Sequence, residues 1–565
     1  MEFDSEFSFQ TRTKAIERFK NEKFDLLIIG GGITGAAVAR DATSRGLNVA
    51  LVEKNDFAYG TSSRSSKLIH GGIRYLENLE FGLVFEALSE RTLLLKTVPH
   101  LVRPLPFYMP VYKEDAHGIT KLSMGLWLYD FLALFRAPGF HKRLSKKQVL
   151  ADIPFLKGDG LQGGFSYFDA SMWDDVLAIE TARAAQIEGA AIANYVEAVD
   201  PIWTGDRITG FTVRDRENIS QDFPVHADRV IVCAGPWTDQ VGKSISTKWK
   251  QWLNPSKGVH LIFDLKRIPI PGAMVMSHPK DGRISFVIPR PDFGAGVVIV
   301  GTTDGPTHED PDRADIAKED VDYLLDLLAK YFPSLNLTQD DILSAYVGVR
   351  PLMGSNDASG AGLLQKVSRE HHIDSGPGGT VIVAGGKYTT HRKMAEEIVD
   401  FTLKKWKKDV EKHPDLSYPK KLGPSQTAFP VNPQATVSAL ENCRGLANQE
   451  KLTIPTELLE RFGADALPIV KSHTAHTGSA SYPDGFPMLE AQLRYCIRSE
   501  MTMHLEDFYL RRLPLFASRK DHGLPWAPAL AQVWAEELHK SPEEEKAELE
   551  KLKQEIAKRT AWEQS

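Results

Sequence analysis

The first residues with evident chemistry are Gly30-Gly31-Gly32-Ile33-Thr34-Gly35, a G-x-G-x-x-G run that begins at Gly30. Alone the spacing is weak, because glycines gather in many kinds of turn. Its setting gives it force. A strand-like run, Asp25–Ile29, precedes it and an Ala-rich helix from about Ile33 to Arg45 follows. Glu53 then ends the next strand 23 residues after Gly30. A β-α-β unit of this form, about 30 residues long, binds a dinucleotide. Gly30 allows the tight turn, Gly32 lets backbone N–H groups reach a pyrophosphate, and Gly35 lets helix and strand pack closely. The helix N-terminus adds partial positive charge where phosphates would sit. Glu53 is placed to accept hydrogen bonds from the adenosine ribose hydroxyls.

Two later runs repeat the local pattern of buried strand, glycine turn and helix start: VIVCAGPWTDQV (230–241), with Gly235, and VIVAGGKYTTHRKMAEEIV (381–399), with Gly386, Lys387 and Thr389. Such returns are the habit of FAD enzymes whose chain leaves the cofactor domain and comes back to it, so they favour FAD over NAD. His473 and His476 have the spacing of a helical metal pair. No carboxylate or cysteine cluster joins them, and no metal is expected.

Elements long enough to position these residues follow from the pattern. A chain of 565 residues exceeds what one core supports, so at least two packed units are expected. Apolar residues at 42% and charged residues at 25% exclude wholesale disorder. The net charge of −6 argues against a protein that coats nucleic acid, and no nucleic-acid module is found. Three scattered cysteines, none in a C-x-x-C pair, suit a reducing compartment. No signal peptide is read at the N-terminus, and the most apolar stretch, MGLWLYDFLALF (124–135), is too short to span a bilayer.

Residues 1–23 read as a polar lead-in and 76–98 as a helix. Four prolines within 99–110 impose extended or turning chain. Short β-like runs dominate 160–350, and from about 400 the pattern is helical. It ends in a helix that Ser541 caps, with Pro542 in its first turn and Glu544 completing a capping box.

The string TSSRSSKLIHGGIRYLENLEFGLVFEALSER (61–91), with GTTD (301–304), GVRPLM (348–353) and GGKYTTHRK (385–393), closely resembles the aerobic FAD-dependent sn-glycerol-3-phosphate dehydrogenases. Their close relatives are the α-glycerophosphate oxidases, and both belong to the D-amino-acid-oxidase-like flavoproteins. The likeness runs from about residue 20 to 400 and continues more weakly through LRYCIRSEMTMHLEDFYLRR (493–512). It implies an α/β fold: a Rossmann-like FAD-binding domain (24–90, 170–250 and 345–400), interleaved with a β-sheet substrate domain (91–169 and 251–344), then a C-terminal helical domain (405–565). It places Ser62, Ser65, Lys67 and Leu68 on a loop passing the FAD pyrophosphate and flavin. His70, Arg74, Arg350 and Lys387 fall on active-site positions, and His260 falls beside the substrate pocket. Thr389 and Thr390 begin a helix facing the pyrimidine end of the flavin. Tyr388 and His391 depart from the Leu and Tyr that relatives often carry.

The residue types suit that chemistry. Oxidising a secondary alcohol needs a proton acceptor and a hydride acceptor, and flavin supplies the second. Arg74 and Arg350 suit a dianionic phosphate, because guanidinium is permanently charged and bonds in two places at once. Either His70 or His260 suits the proton. Lys387 suits a developing alkoxide or an anionic flavin.

The implied reaction converts glycerol 3-phosphate to dihydroxyacetone phosphate and passes electrons to membrane quinone. An oxidase releasing hydrogen peroxide is the enzymatic rival, and a flavin-binding sensor or scaffold the non-enzymatic one. Quinone as acceptor implies a cytoplasmic protein lying peripherally on the inner face of the cell membrane, with KWKQW (248–252) and the stretch around Trp127 as candidate contacts. The resemblance also admits a homodimer.

Overall fold

A computed structural model describes residues 6–72, 76, 79–115, 117–134, 138–218, 222–308, 310–354, 371–413, 416–428, 436–475 and 483–564. Two sheets organise its first two thirds. The first runs in the order His372–Ser375, Val381–Ala384, Phe223–Val232, Lys23–Ile29, Val49–Val52, Ala191–Ala193. All but the first of these are parallel to their neighbours. An antiparallel hairpin, Val196–Thr204 with Arg207–Asp215, continues from Phe223–Val232.

The alternation of Leu26 and Ile28 with Leu27 and Ile29 explains why the central strand is apolar on both faces. Leu26 and Ile28 pack with the helices Ile33–Ser44, Asp174–Ile187 and His391–Val410. Leu27 and Ile29 pack with Ile16 and Phe19. Those two lie on the helix Phe9–Asn21, which Ser8 caps through a capping box. The expected polar lead-in is therefore a docked helix. Its apolar positions at 15, 16 and 19 fill one narrow face, and its other residues are mostly polar.

The second sheet holds ten strands among the described residues. Its working part is the antiparallel run Ile284–Arg290, Val297–Gly301, Ser256–Asp264 and Ile342–Arg350. The four prolines of 99–110 lie in or beside an extended strand, Val102–Tyr112. Several expected boundaries shift. Leu68–Ile69, and the part of the strand Ile342–Arg350 from 345 onward, fall in the expected FAD unit but hydrogen-bond into the second sheet. The helix expected from 76 begins at Phe81 and continues to Thr97, packing into the second sheet's core across the boundary set at 90. Trp406 is buried in the first sheet's core, so that unit extends beyond 400.

The remaining chain forms helices with their own core, including Leu493, Phe508, Leu530 and Ile556. The last helix, Pro542–Thr560, has the Ser541–Glu544 capping box. This helical unit is clamped to the first by buried charge. Arg511 and Arg512 donate to Asp56 at 2.6 and 2.7 Å. Burial works against the Asp56 charge, but the two guanidiniums outweigh it and bring its pKa down to about 2. Among the described residues, no helix is long and apolar enough to cross a membrane.

Candidate active site

The site is threaded by one loop, Thr61 to His70. At its start the Ser62 hydroxyl accepts from Ile33 N–H at 3.0 Å, so the loop meets the N-terminus of the helix Ile33–Ser44. That helix has Gly32 at its N-cap with no side chain of its own closing the end. Gly30 sits at φ +110°, and a Cβ on Gly35 would stand 1.9 Å from Gly30 O. Helix and strand approach here as only glycine allows. A Cβ on Gly32 would project to 3.2 Å from Ser62 Oγ, narrowing the space over the helix end.

Glu53 accepts from Gly31 N–H at 2.6 Å and Asn55 N–H at 2.8 Å. Burial pushes its carboxyl above the ordinary value, against the pull of those two N–H groups. Bare glycine backbone, an open helix N-terminus and a carboxylate at the adjacent strand end fit a dinucleotide. Gly235, at φ +52°, begins the turn after the neighbouring strand Phe223–Val232.

The middle of the loop is tied to Asp174 at the start of the helix Asp174–Ile187. Ser65 donates to this carboxylate through its N–H at 3.2 Å and its hydroxyl at 2.6 Å. Lys67, at φ +53°, ion-pairs with Asp174 and lies 3.5 Å from Asp175. Burial works against the Lys67 charge, but Asp174 and Asp175 outweigh it and hold the ammonium above its ordinary pKa. Lys67 thus turns into the protein and anchors the loop rather than reaching out of it. Leu68 continues the loop into the second sheet opposite Ser171. The Tyr388 hydroxyl donates to the main-chain oxygen of Asp174, so the 385–391 turn is braced to the same point.

Beyond this brace lie the groups expected to do chemistry. Phe286, Gly301, His260 and Tyr346 form one row across four strands, paired in register. Directly paired residues share a face, and Gly301 leaves room for the imidazole: a Cβ there would stand 2.3 Å from His260 Cδ2. The His260 ring stacks on Tyr346 at 4.7 Å, and its Nε2 shares a 2.9 Å hydrogen bond with the Ser66 hydroxyl. His260 Nδ1 is buried without a hydrogen-bond partner. Burial, then the charges of Arg350 and Lys67, lower its pKa to about 3.

At the other end of the row, the His70 ring lies 6.3 Å from Phe286. The His70 backbone meets Thr389 Oγ1 through its N–H and its carbonyl, each at 3.4 Å. Gly385 and Gly386 are both left-handed, at φ +72° and +106°, and lead into Lys387, two residues before Thr389. Thr390 occupies the N-cap position of the helix His391–Val410, with no side-chain cap bond. His391 shares a bond with Tyr388 O at 2.8 Å, and burial lowers its pKa to about 4 despite that bond.

Arg350 lies over Gly258, where a Cβ would meet Nη2 at 2.2 Å. It donates to Thr302 Oγ1 at 2.9 Å, Thr303 O at 3.0 Å and Lys257 O at 3.0 Å, and pairs with Asp304 at 3.2 Å. Asp304 also pairs with Arg283 at 2.9 Å. A carboxylate thus already sits between two half-buried guanidiniums at the rim.

Arg74 and His476 lie outside the described residues. His473 is on the helix Ala466–Ala475, and no metal-binding cluster occurs among the described residues. Sequence reasoning missed Asp174, Ser66, Tyr346 and Arg283. A helix-start signal was present in Trp173-Asp174-Asp175, but nothing local ties Asp174 to Lys67, 107 residues away.

The FAD dependent oxidoreductase family matches residues 25–392, and the C-terminal domain of alpha-glycerophosphate oxidase matches residues 442–545. An aerobic glycerol-3-phosphate dehydrogenase of Staphylococcus aureus (strain USA300) is 34% identical over 555 residues, covering 96% of this chain and 95% of that protein. The crystal structure of a Bacillus halodurans glycerol-3-phosphate dehydrogenase complexed with FAD superposes with TM-score 0.75 at 28% identity, covering 97% of this chain and 98% of that one. An L-alpha-glycerophosphate oxidase from Mycoplasma pneumoniae shares the fold at TM-score 0.51 and 20% identity, over 67% of this chain and 95% of its own. The expected FAD and the expected three-part architecture agree with these matches. The chain belongs to the FAD-dependent oxidoreductase family and stands beside its aerobic glycerol-3-phosphate dehydrogenases.

Proposed function

We propose that the protein oxidises sn-glycerol 3-phosphate to dihydroxyacetone phosphate and passes the electrons to a membrane quinone. One observation carries the reading. A single loop touches the dinucleotide-type helix end through Ser62, the sheet histidine through Ser66, and the Lys387 turn through His70. The 34% identity to an aerobic glycerol-3-phosphate dehydrogenase, over nearly the whole chain, supports that substrate class.

Bound FAD supplies the hydride acceptor; Gly30, Gly32, Gly35, Glu53 and Ser62 would hold its dinucleotide part, and Gly386 and Thr389 its flavin end. His70 takes the hydroxyl proton. His260 is the weaker base, because a buried imidazole lowered to about 3 resists gaining charge. Its part is to present a neutral ring beside Tyr346 and to orient Ser66. Arg350 binds the phosphate dianion, and Asp304 gives way as the stronger anion arrives. Lys387 places positive charge where alkoxide character develops.

The test measures dihydroxyacetone phosphate formation by the purified FAD-loaded protein, under nitrogen with a soluble quinone analogue and in air without it. Turnover with quinone and negligible peroxide in air are expected. Equal turnover in air with stoichiometric peroxide would replace the dehydrogenase by an oxidase.

A further inference from the structure

The loop Thr61 to His70 carries one arginine and one lysine. Lys67 is answered by Asp174. Arg64 has no hydrogen bond and no ion pair among the described residues. Its guanidinium lies 5.2 Å from the centre of the Tyr59 ring, and that of Arg511 lies 5.7 Å from the same ring. The charges of Arg64, Arg559 and Arg511 all act on the Tyr59 hydroxyl, as does that of Asp312, which accepts from Trp237 Nε1 at 3.2 Å. Arg511 is held by Asp56 and Asp507, each at 2.6 Å, and Arg559, on the last helix, by Glu555 at 2.7 Å. Two of the three arginines thus have their own carboxylates, and Arg64 has none.

Local structure aims Arg64 away from the cofactor crevice. It closes the 3₁₀ turn Thr61–Ser63, in which successive side chains point roughly 120° apart. Ser62 therefore meets Ile33 at the helix end while Arg64 meets the C-terminal helical unit. The main chain here is pressed on the strand Ile342–Arg350: a Cβ on Gly348 would stand 2.6 Å from Arg64 O. Tyr59, Arg64, Glu555 and Arg559 are all half-buried, so the junction is walled by protein and open to solvent. Burial, then the charges of Arg559 and Arg511, bring the Arg64 pKa down to about 10, as expected of a cation set among cations.

We propose that Arg64, with Arg559 and Tyr59 beside it, forms a second anion site that takes a free phosphate group, outside both the substrate pocket and the FAD crevice. Guanidinium binds phosphate oxygens in two places at once, and a tetrahedral dianion can bridge two such groups. A bound phosphate would supply the counter-charge that Arg64 lacks. It would also fasten the loop that carries Ser66 and His70 to the last helix. FAD is the other source of the same chemistry, through its pyrophosphate. The site does not depend on which substrate the enzyme oxidises.

The experiment follows thermal unfolding of the FAD-loaded protein in rising inorganic phosphate, against sodium chloride of equal ionic strength. On the same samples, FAD release after dilution is read as recovered flavin fluorescence. Phosphate is expected to raise the Tm of wild type saturably beyond chloride. Arg64→Leu should raise the half-saturating phosphate concentration by at least about tenfold, and Arg64→Lys, which keeps the charge but loses the planar fork, by at least about threefold. Arg350→Ala should keep the Arg64-dependent response, and FAD release should match wild type in both Arg64 variants. Should Arg64→Leu fail to fold, an Arg64→Lys protein that responds like wild type overturns the site. So does a wild type that phosphate stabilises no more than chloride, or a response that Arg350→Ala removes and Arg64→Leu leaves intact. FAD release at least about tenfold faster in Arg64→Leu would give Arg64 to the cofactor's own pyrophosphate and would also overturn a separate site. If phosphate acts through Arg64 but glycerol 3-phosphate leaves the flavin of wild type unbleached, the anion site stands and the substrate reading falls.

Discussion

The proposed dinucleotide end and the proposed substrate end of this site are built in opposite ways. Around Gly30–Gly35 the groups on offer are main-chain N–H groups and a helix end, and Glu53 reaches Gly31 from only 22 residues away. At the substrate end, Ser66 meets His260 across 194 residues, Tyr388 meets Asp174 across 214, and Thr389 meets His70 across 319. The first is a property of one β-α-β unit and tolerates little change in backbone shape. The second is a truss tied together from four segments, whose precision depends on the buried Asp174 brace. A site made of backbone fails by sterics, and a site made of side chains fails by charge.

The harshest test of the backbone half is Gly35→Ala. Its Cβ would fall 1.9 Å from Gly30 O, and overpacking a junction this tight costs about 3 kcal/mol. The variant should melt lower and purify without yellow flavin. Normal flavin content would mean that the crevice does not depend on this close approach.

Asp174→Ala tests the other half. It leaves Lys67 buried beside Asp175 alone, and breaking a buried pair in this way costs about 3–5 kcal/mol. Lys67→Met/Asp174→Leu removes both charges of that pair and should recover part of that stability in urea unfolding, the remainder being lost because buried Asp175 gives up its cation. Substrate oxidation should stay low, because Ser65 has lost its acceptor. If the double variant regains activity together with stability, the brace is merely structural.

A third comparison separates the histidines. His70→Asn should slow flavin reduction by about 10²–10⁴-fold, the usual weight of a general base, and His260→Asn by less than about tenfold. The reverse order in stopped-flow traces would exchange their roles.

How legible the two halves were in the sequence follows from the same contrast. The strand, glycine turn, helix start and strand end around Gly30, Gly32, Gly35 and Glu53 were legible because each is set by neighbours within one supersecondary unit. The β-runs of the second sheet were readable from their alternation and composition. What could not be read was pairing at long range. Leu68–Ile69 and Ile342–Arg350 join the second sheet, a choice made by partners far along the chain. The helix Phe9–Asn21 reads from sequence only as part of a polar lead-in, because just one narrow face of it is apolar. Lys67 was assigned to a cofactor loop by motif, and only the structure shows its ammonium turned towards Asp174.

The smallest expected effect is on pH dependence. His260 falls from an ordinary 6.5 to about 3 on folding. The unfolded chain therefore binds the extra proton across that window, and stability drops as pH falls from about 6.5 towards 3. His260→Asn should reduce that slope by up to about 1.4 kcal/mol per pH unit. It should not abolish it, since His100, away from the site, is also lowered to about 3 by burial and nearby arginines. An unchanged acid limb would show that His260 is solvated in solution.

The most direct measurement is an anaerobic titration of the purified FAD-loaded protein with sn-glycerol 3-phosphate, followed by the visible flavin absorbance. The account predicts full bleaching, equimolar dihydroxyacetone phosphate, and a greatly weakened response in Arg350→Ala. Flavin that dithionite bleaches but glycerol 3-phosphate leaves yellow at every concentration would contradict it.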